Sequence, residues 1–484
     1  MRRSCELSRV TDSTAIVWFR RDLRLHDHPA LAAAVAAHER VVPLYVLDPR
    51  LLGGRFASPN RAWFLLGSLR VLAADLAALG STLVVRVGDP TVVVPGVALA
   101  ARATDVYVSR DHAPYGRTRD RAVAQALAAT PVGTRLHAKT GLLVHEPETI
   151  ATLEGRPYSV YSPFRKAWER LPRREVLPAP GALPGHDLDL GEIPTLARLG
   201  LGDGPTADPA LLPEPGEAAA RRRLERWLAR GLGAYAETRN RLDLADGTSR
   251  LSADLHFGLL SPTEIVDRVT GDGEGRRVYL SEIVWREFYA HVLFHRPAVR
   301  HAAFRTEFDT IEWSGDESAL DAWRTGRTGY PIVDAAMRQL AATGWMHNRA
   351  RMIAASFLTK DLLIDWRAGE AHFMAHLVDG DVASNNGGWQ WSASTGTDAQ
   401  PYFRIFNPVG QGRRFDPDGA YVRRWVPELA AVTTAYIHAP WEMPPAVAAA
   451  SGVRTGIDYP APIVDHAQAR ARALATYEAA RRAS

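Results

Sequence analysis

The segment from Asp379 to Trp391 contains the densest group of chemically versatile side chains in the sequence. It carries two carboxylates, two adjacent asparagines, three glycines and two tryptophans. Glycine lets a backbone approach a ligand closely, and an asparagine amide can donate to ring heteroatoms. Because so many polar groups are costly to bury without partners, we interpret the segment as a polar loop that lines a ligand cavity.

A second candidate site is the run Thr248-Ser249-Arg250-Leu251-Ser252, which directly precedes a short predicted helix that runs towards Gly258. Hydroxyl groups, a guanidinium and the free N–H groups at a helix start all favour a bound phosphate. A simpler interpretation stays open, in which Ser252 only caps the helix.

A third candidate is the helical stretch from Trp345 to Met352. Asn348 and Met352 are four residues apart and therefore share a helix face. Arg349 and Arg351 cannot both lie close to that face, so one is predicted to face solvent or a phosphate while the other pairs inward. A half-buried helix with ordinary ion pairs is the alternative.

Other catalytic chemistries find little support. His291 and His295 have a spacing that could hold zinc, but the segment lacks the glutamate of the metalloprotease motif. No nucleophile elbow, phosphate-binding Walker motif or cysteine pair occurs, so we expect no metal and no hydrolase. Most of the 13 tryptophans are expected to be core residues.

Composition limits the class of protein further. The chain has 484 residues, of which 46% are hydrophobic and 23% charged, which predicts two or three folded domains. Lys+Arg is 58 against 54 Asp+Glu, and only three of the cations are lysine. Arginine suits phosphate recognition, although GC-rich coding would give the same bias. The polar start, the single Cys5 and the lack of a long apolar run predict a cytoplasmic protein with no membrane span.

Hydrophobic patterning predicts an α/β domain over residues 14–140, a linker over 141–216 and a larger all-helical domain over 217–484. The predicted strands are Ala15–Arg20, Val41–Leu47, Thr82–Val87, Asp105–Val108 and Thr134–His137, with helical segments such as Asn60–Leu79 between them. Alternating strands and helices indicate a doubly wound, Rossmann-like parallel sheet. The first strand is not followed by a glycine-rich turn, so a dinucleotide is expected to bind elsewhere. Nine prolines between Pro172 and Gly216 indicate a long surface connector.

Several longer motifs resemble those of the photolyase/cryptochrome family, and most closely its microbial class I cyclobutane pyrimidine dimer photolyases. The motifs are Trp18-Phe19-Arg20-Arg21-Asp22-Leu23-Arg24, Trp285-Arg286-Glu287-Phe288-Tyr289, Gly329-Tyr330-Pro331-Ile332-Val333-Asp334, Trp345-Met346-His347-Asn348-Arg349, Asn385-Asn386-Gly387-Gly388-Trp389-Gln390-Trp391 and Tyr459-Pro460-Ala461-Pro462-Ile463-Val464. The resemblance extends from about residue 15 to residue 480.

This resemblance implies an FAD enzyme that repairs ultraviolet-damaged DNA. In the family, light excites reduced FAD, which passes an electron to a pyrimidine dimer that has left the base stack. The implied FAD-binding residues are Tyr235, Thr248, Ser249, Arg250, Leu251, Ser252, Tyr279, Arg351, Asp379, Gly380, Asp381 and Asn385. Glu282 and Asn385 are the implied catalytic residues, and Trp389, Trp366 and Trp313 the implied electron relay. The implied contacts to DNA or lesion are Arg239, Glu282, Trp285, Asn348, Arg349, Met352, Trp391, Arg404 and Gln411.

The resemblance also separates repair from its alternatives. Photolyases for the (6-4) photoproduct carry histidines at the positions of Asn348 and Met352, so that lesion is not expected to be a substrate. A cryptochrome-type blue-light receptor is the alternative function, although the family's receptors often change the residue at Asn385. The run Pro114-Tyr115-Gly116-Arg117 departs from the Asn-Glu pair of folate-type relatives, which favours a deazaflavin over methenyltetrahydrofolate if an antenna is present. We expect a monomer associated with the nucleoid.

Overall fold

The first part of the chain forms a five-stranded parallel sheet in the order β3-β2-β1-β4-β5. The structure is a computed structural model that describes residues 13–54 and 57–482. Its strands are β1 (Thr14–Phe19), β2 (Arg40–Leu47), β3 (Val84–Val87), β4 (Asp105–Ser109) and β5 (Arg135–Lys139). Each predicted strand is present, with ends displaced by at most two residues, and the predicted doubly wound α/β fold is confirmed. Cys5 and most of the polar start lie outside the described residues.

The central strands β1, β2 and β4 are buried on both faces, as expected for a parallel sheet covered by helices. On β1, Ile16 and Trp18 join one core beneath one face, whereas Ala15, Val17 and Phe19 join a second core beneath the other. This period of two follows from the alternating direction of side chains along a strand. The second core continues from the sheet into the helical part, so the two parts of the chain share one apolar interior.

The remainder of the chain is mainly helical. The α-helices of the described residues are α1 (Pro29–Ala37), α2 (Pro49–Leu52), α3 (Pro59–Ala78), α4 (Pro90–Ala101), α5 (Pro114–Ala128), α6 (Tyr161–Arg170), α7 (Glu217–Arg230), α8 (Tyr235–Thr238), α9 (Ser252–Phe257), α10 (Pro262–Val269), α11 (Glu274–His295), α12 (Glu317–Arg324), α13 (Pro331–Thr343), α14 (Asn348–Ser356), α15 (Trp366–His376), α16 (Val382–Ala393), α17 (Pro408–Phe415), α18 (Ala420–Trp425), α19 (Pro445–Ser451) and α20 (His466–Arg482). Within the described residues, no helix has the length and apolar character needed to cross a membrane.

The proline-rich connector follows the edge of the sheet. Between residues 172 and 216 it contains one short 3-10 turn, Ala197–Leu199. The Val85 N–H donates to the Leu190 carbonyl at 2.8 Å, which attaches the connector beside β3. The first part of the predicted linker contains helix α6, which contacts α11. The domain limits 14–140, 141–216 and 217–484 stay predictions.

The prediction of a polar loop over residues 379–391 is wrong, because most of this segment is helix α16. The carboxylate of Asp381 caps the helix by accepting from the Ser384 N–H at 2.9 Å. The amides of Asn386 and Gln390 both donate to the Val299 carbonyl, at 3.1 and 2.8 Å. These partners are distant in sequence, and they satisfy polar groups that local pattern alone assigned to a loop.

Candidate active site

A cavity of about 460 Å³ lies in the helical part of the chain, among α9, α11, α14 and α16. Every residue implied in FAD binding lines this cavity: Tyr235, Thr248, Ser249, Arg250, Leu251, Ser252, Tyr279, Arg351, Asp379, Gly380, Asp381 and Asn385. Six of the nine residues implied in contact with DNA or lesion also line it: Arg239, Glu282, Trp285, Asn348, Met352 and Trp391. Segments that are separated by up to about 150 residues therefore meet around a single cavity.

Helix α11 supplies one wall of the cavity through its helical period. Tyr279, Glu282, Arg286 and Tyr289 are spaced three, four and three residues apart, so they follow one face of the helix. All four line the cavity. The same face therefore presents hydroxyl, carboxylate and guanidinium groups to a single ligand.

The hydroxyl-rich run meets the cavity at the start of α9. The helix begins at Ser252 with Leu251 at the N-cap, and no side chain caps its first N–H groups. The simpler interpretation, a plain Ser252 cap, is therefore wrong. Arg250 has a positive φ of 53° and its guanidinium lies 4.6 Å from the centre of the Trp345 ring. The Tyr279 hydroxyl is hydrogen-bonded to Ser249 at 3.0 Å.

Asp379 and Arg351 form the inward ion pair that the sequence predicted for one of the two arginines. The Arg351 guanidinium donates to Asp379 Oδ2 at 2.8 Å, and only 2% of the Asp379 side chain is exposed. The other carboxylate oxygen, Oδ1, is buried and has no hydrogen-bond partner in the protein. Since a buried polar atom normally has a partner, this oxygen is suited to accept a hydrogen bond from a bound molecule.

Helix α16 places Asn385 and Trp389 against the cavity. The Asn385 side chain donates to the Glu370 carbonyl at 3.0 Å, which fixes the direction of its amide. Trp389 is 2% exposed and packs edge-on against Phe373, with ring centres 4.9 Å apart. Between them, a Cβ on Gly388 would meet no atom within 4 Å. The helix therefore leaves open space beside this glycine.

We call the part of the lining that carries Glu282, Trp285, Asn348, Met352 and Trp391 the mouth of the cavity. Trp285 stacks on Tyr161 with ring centres 3.7 Å apart, and Trp391 lies on the same cavity. The Asn348 amide lies 3.9 Å from the Met352 sulfur, which confirms that these two side chains share a face. Aromatic rings with exposed faces are suitable surfaces for stacking a nucleobase.

Glu282 lies at this mouth and is paired with an arginine. Arg239 Nη2 lies 2.8 Å from a Glu282 carboxylate oxygen. Burial raises the pKa of Glu282, while the charges of Arg239 and Arg349 act in the opposite direction. A carboxyl group in this setting can accept or donate a hydrogen bond to a bound ring.

Arg349, Arg404 and Gln411 do not line the cavity. Arg349 donates to Asn240 Oδ1 at 2.7 and 3.1 Å, and its guanidinium lies 4.5 Å from the Phe415 ring centre. Burial, followed by the charges of Arg239, Arg414 and Arg404, lowers the pKa of Arg349 to about 10. A cluster of mutually repelling cations therefore lies beside the mouth, where an anionic chain would relieve the repulsion.

The three tryptophans of the implied relay belong to one apolar core. Trp389 and Trp366 are 2% and 1% exposed, whereas Trp313 is partly buried at the edge of the same core. Trp366 and Trp313 do not line the cavity, so only Trp389 contacts it directly.

Sequence reasoning missed several residues that line the cavity. Arg286 and Tyr289 stand in a motif that carries the family resemblance but had no predicted role, and their α11 spacing could have identified them. His256 lies on α9, four residues after Ser252, and Arg21 approaches His256 from the end of β1. No local sequence pattern predicts the position of Arg21, because its contacts depend on how the sheet packs against the helical part.

Over residues 13–54 and 57–482, no group of three or more His, Cys, Asp or Glu side chains could hold a metal ion. His291 and His295, the possible zinc pair, both face the Pro147 carbonyl, at 3.1 and 3.4 Å.

Comparison with known proteins identifies the class to which this fold and cavity belong. A family model described as DNA photolyase matches residues 15–181, and one described as the FAD binding domain of DNA photolyase matches residues 279–479. The fold and cavity are thus those of a photolyase-type flavoprotein. The deoxyribodipyrimidine photo-lyase of Escherichia coli is 42% identical, and the alignment covers 97% of this chain and 99% of that protein. The chain therefore belongs to the DNA photolyase family, which confirms the predicted family, enzyme class and FAD-binding domain.

Solved structures agree with this assignment. A class III photolyase from Agrobacterium tumefaciens has a TM-score of 0.92 at 40% identity, covering 99% of this chain and 100% of that one. A cryptochrome from Synechocystis has a TM-score of 0.88 at 32% identity, covering 96% of this chain and 99% of that one. The overall fold is thus common to a repair enzyme and to a cryptochrome, and only the residues of the site can separate the two functions.

Proposed function

We propose that this chain repairs cyclobutane pyrimidine dimers in DNA, using light and reduced FAD. The observation that supports this proposal most strongly is the set of residues that line the cavity. Its lining combines the Thr248–Ser252 run and the buried Asp379 with a second set of side chains, Glu282, Trp285 and Trp391, at the mouth. A single cavity thus offers groups for a dinucleotide and for two linked pyrimidine bases.

The chain's residues fit FAD. The uncapped start of α9 and the hydroxyls before it suit the phosphates, and the unpartnered oxygen of Asp379 suits an N–H or O–H donor of the cofactor. Tyr235, Tyr279, Arg250 and the remaining cavity residues would enclose it. The chemistry that bound, reduced FAD supplies is light-driven transfer of one electron to the dimer and its recovery after ring opening.

Around the lesion, the chain's own groups bind and orient. Trp285, held flat by its stack on Tyr161, and Trp391 would stack on the extruded pyrimidines. The Glu282 carboxyl group lies at the mouth and would hydrogen-bond to the dimer; in its protonated form, which burial favours, it would donate that bond and stabilise the added negative charge. Asn385, whose amide direction is fixed by Glu370, would act beside the flavin ring. Asn348 and Met352 would complete the lesion pocket.

Binding of the DNA backbone is assigned to the cations beside the mouth. Arg239 and Arg404 lie close enough to Arg349 for their charges to act on its guanidinium, and Gln411 lies nearby in sequence on α17. Phosphate contacts would hold the damaged strand over the cavity without reading its sequence.

Reduction of oxidised FAD is assigned to Trp389, Trp366 and Trp313. The supporting observations are that Trp389 touches the cavity and that all three indoles belong to one core, with Trp313 at its more exposed edge. An electron would enter from solvent at Trp313 and reach the cavity through Trp389.

A cryptochrome-type receptor is the second candidate, favoured by the similarity to the Synechocystis protein. The repair assignment is preferred because Glu282 and Met352 lie on the cavity together with Asn385. An antenna pigment of the deazaflavin type also stays a proposal. The side chains of the Pro114–Arg117 run are engaged within the protein, since Tyr115 donates to Asp48 and Arg117 lies 4.0 Å from the Phe294 ring centre. Monomeric action on DNA in the cytoplasm stays a prediction.

An illuminated repair assay tests the proposal. Purified protein with reduced FAD is mixed with one oligonucleotide that contains a cyclobutane dimer and with a matched one that contains a (6-4) photoproduct. We expect blue light to restore the dimer-containing strand, with no change in the dark or in the (6-4) strand. Intact dimers after illumination would refute the repair function and favour the receptor.

A further inference from the structure

Arg21 belongs to the α/β part of the chain, yet its guanidinium reaches a wall of the cofactor cavity. It follows β1 by two residues, and its Nη2 donates to Asp381 Oδ2 at 2.6 Å. We infer that Arg21 is a positioning residue of the cofactor site, which holds the Asp381 carboxylate in place for FAD binding from the other domain. The inference rests on the proposed use of this cavity for FAD.

The backbone on both sides of this contact is fixed. The Leu23 N–H donates to the Phe257 carbonyl at 3.1 Å, and Arg24 Nη1 donates to the Gly258 carbonyl at 2.9 Å. Gly258 has a φ of 65°, and a Cβ there would collide with the carbonyl oxygen of Arg21. The end of β1 therefore lies directly against the end of α9, with little freedom to move.

Arg21 is the full positive charge that faces Asp381 most closely. His256 Nδ1 lies 3.8 Å from the carboxylate, but burial lowers the pKa of His256 to about 4, so this ring is neutral at pH 7. Both terminal nitrogens of Arg286 donate to the Leu142 carbonyl at 3.1 Å, so this guanidinium is engaged away from Asp381. Asp381 therefore depends on Arg21 for its ion pair.

The two oxygens of Asp381 serve two different elements. Oδ1 accepts from the Ser384 N–H and starts α16, while Oδ2 accepts from Arg21. Burial alone would raise the pKa of Asp381, but the charge of Arg21, together with the nearby His256, holds it well below its usual value. Because α16 also carries Asn385 and Trp389, loss of Arg21 would disturb a carboxylate that anchors the cavity's main helix.

The test compares FAD release from the purified holoprotein of several variants, measured by the fluorescence of the freed cofactor. We expect Arg21→Met to weaken FAD retention at least about tenfold, because it leaves a half-buried carboxylate without its cation. Arg21→Lys should keep retention within about threefold, since the charge is preserved. The matched control is Arg50→Met, which removes an arginine of the same domain from an exposed pair with Asp89.

Two further readouts separate positioning from a general structural role. In an Asp381→Asn background, Arg21→Met should change FAD retention less than about twofold, as expected for two groups that act through one contact. The midpoint potential of bound FAD should move to a more negative value in Arg21→Met, because a cation near the cofactor is lost. Arg21→Gln provides the same comparison if the methionine variant does not fold.

Unchanged FAD retention in both uncharged variants, or an equal loss in the Asp381→Asn background, would overturn the inference. So would an equal loss in Arg50→Met. A wild-type protein that binds FAD but repairs no dimers would refute the proposed function while leaving the result for Arg21 valid.

Discussion

The position of Arg349 makes a quantitative prediction about DNA binding. Its guanidinium lies against the Phe415 ring and is surrounded by the charges of Arg239, Arg404 and Arg414. The pKa of about 10 leaves Arg349 protonated at neutral pH. If each of the four arginines neutralises one phosphate, the logarithm of the binding constant should fall with the logarithm of salt concentration at a slope of about −3.6.

The substitution Arg349→Met removes one of these contacts and retains an apolar stem against Phe415. The slope should then flatten by about 0.9, to about −2.7. Between about 50 and 200 mM salt, wild-type affinity should fall about 150-fold and that of the variant about 40-fold. Fluorescence anisotropy with a labelled, dimer-containing duplex at four salt concentrations measures both slopes.

A matched control uses Arg454→Met. Arg454 is exposed and forms an i,i+4 pair with Asp458 at 2.8 Å, and no phosphate contact is assigned to it. The salt dependence of DNA binding by the Arg454→Met variant should have the same slope as that of wild type. An unchanged slope in Arg349→Met, or an equal flattening in the control, would refute the assignment of Arg349 to a phosphate.

Three other predictions concern the cavity. Trp313→Phe should abolish photoreduction of oxidised FAD yet spare repair after chemical reduction; equal loss of both would contradict the relay. Glu282→Ala should lower repair per absorbed photon about threefold to tenfold, the value of one hydrogen bond, with FAD content unchanged; loss of FAD alone would make Glu282 structural. Arg351→Met should lower the free energy of unfolding by about 3 kcal/mol in thermal unfolding. Adding Asp379→Asn to this variant should restore most of the lost stability, and no restoration would argue against the pairing of the two residues.

Sequence patterns predicted the α/β fold well because its signals are local. Strands such as β1 and β2 are short β-branched runs, and their alternation with helices indicates a parallel sheet without any knowledge of contacts. The capping sequence Ser261-Pro262-Thr263-Glu264 likewise acts within one turn, because the Ser261 side chain accepts from the Thr263 and Glu264 N–H groups. Such features depend on neighbours within a few residues.

Features that depend on distant partners were harder to predict. Local pattern predicts a loop in place of helix α16 because the carbonyl acceptors of Asn386 and Gln390 lie near residue 299, about 90 positions away. The role of Arg21 was missed for the same reason, since Asp381 is 360 residues further along the chain. The FAD-binding residues themselves were found through the family resemblance, which carries tertiary information that spacing alone does not.

A crystal structure of the FAD-loaded protein with a dimer-containing duplex, grown under red light, tests the central claim most directly. The account predicts FAD along Thr248–Ser252 and Asp379, with the dimer extruded into the same cavity between Trp285 and Trp391 and beside Glu282. A dimer left stacked in the duplex, or FAD bound outside this cavity, would contradict it.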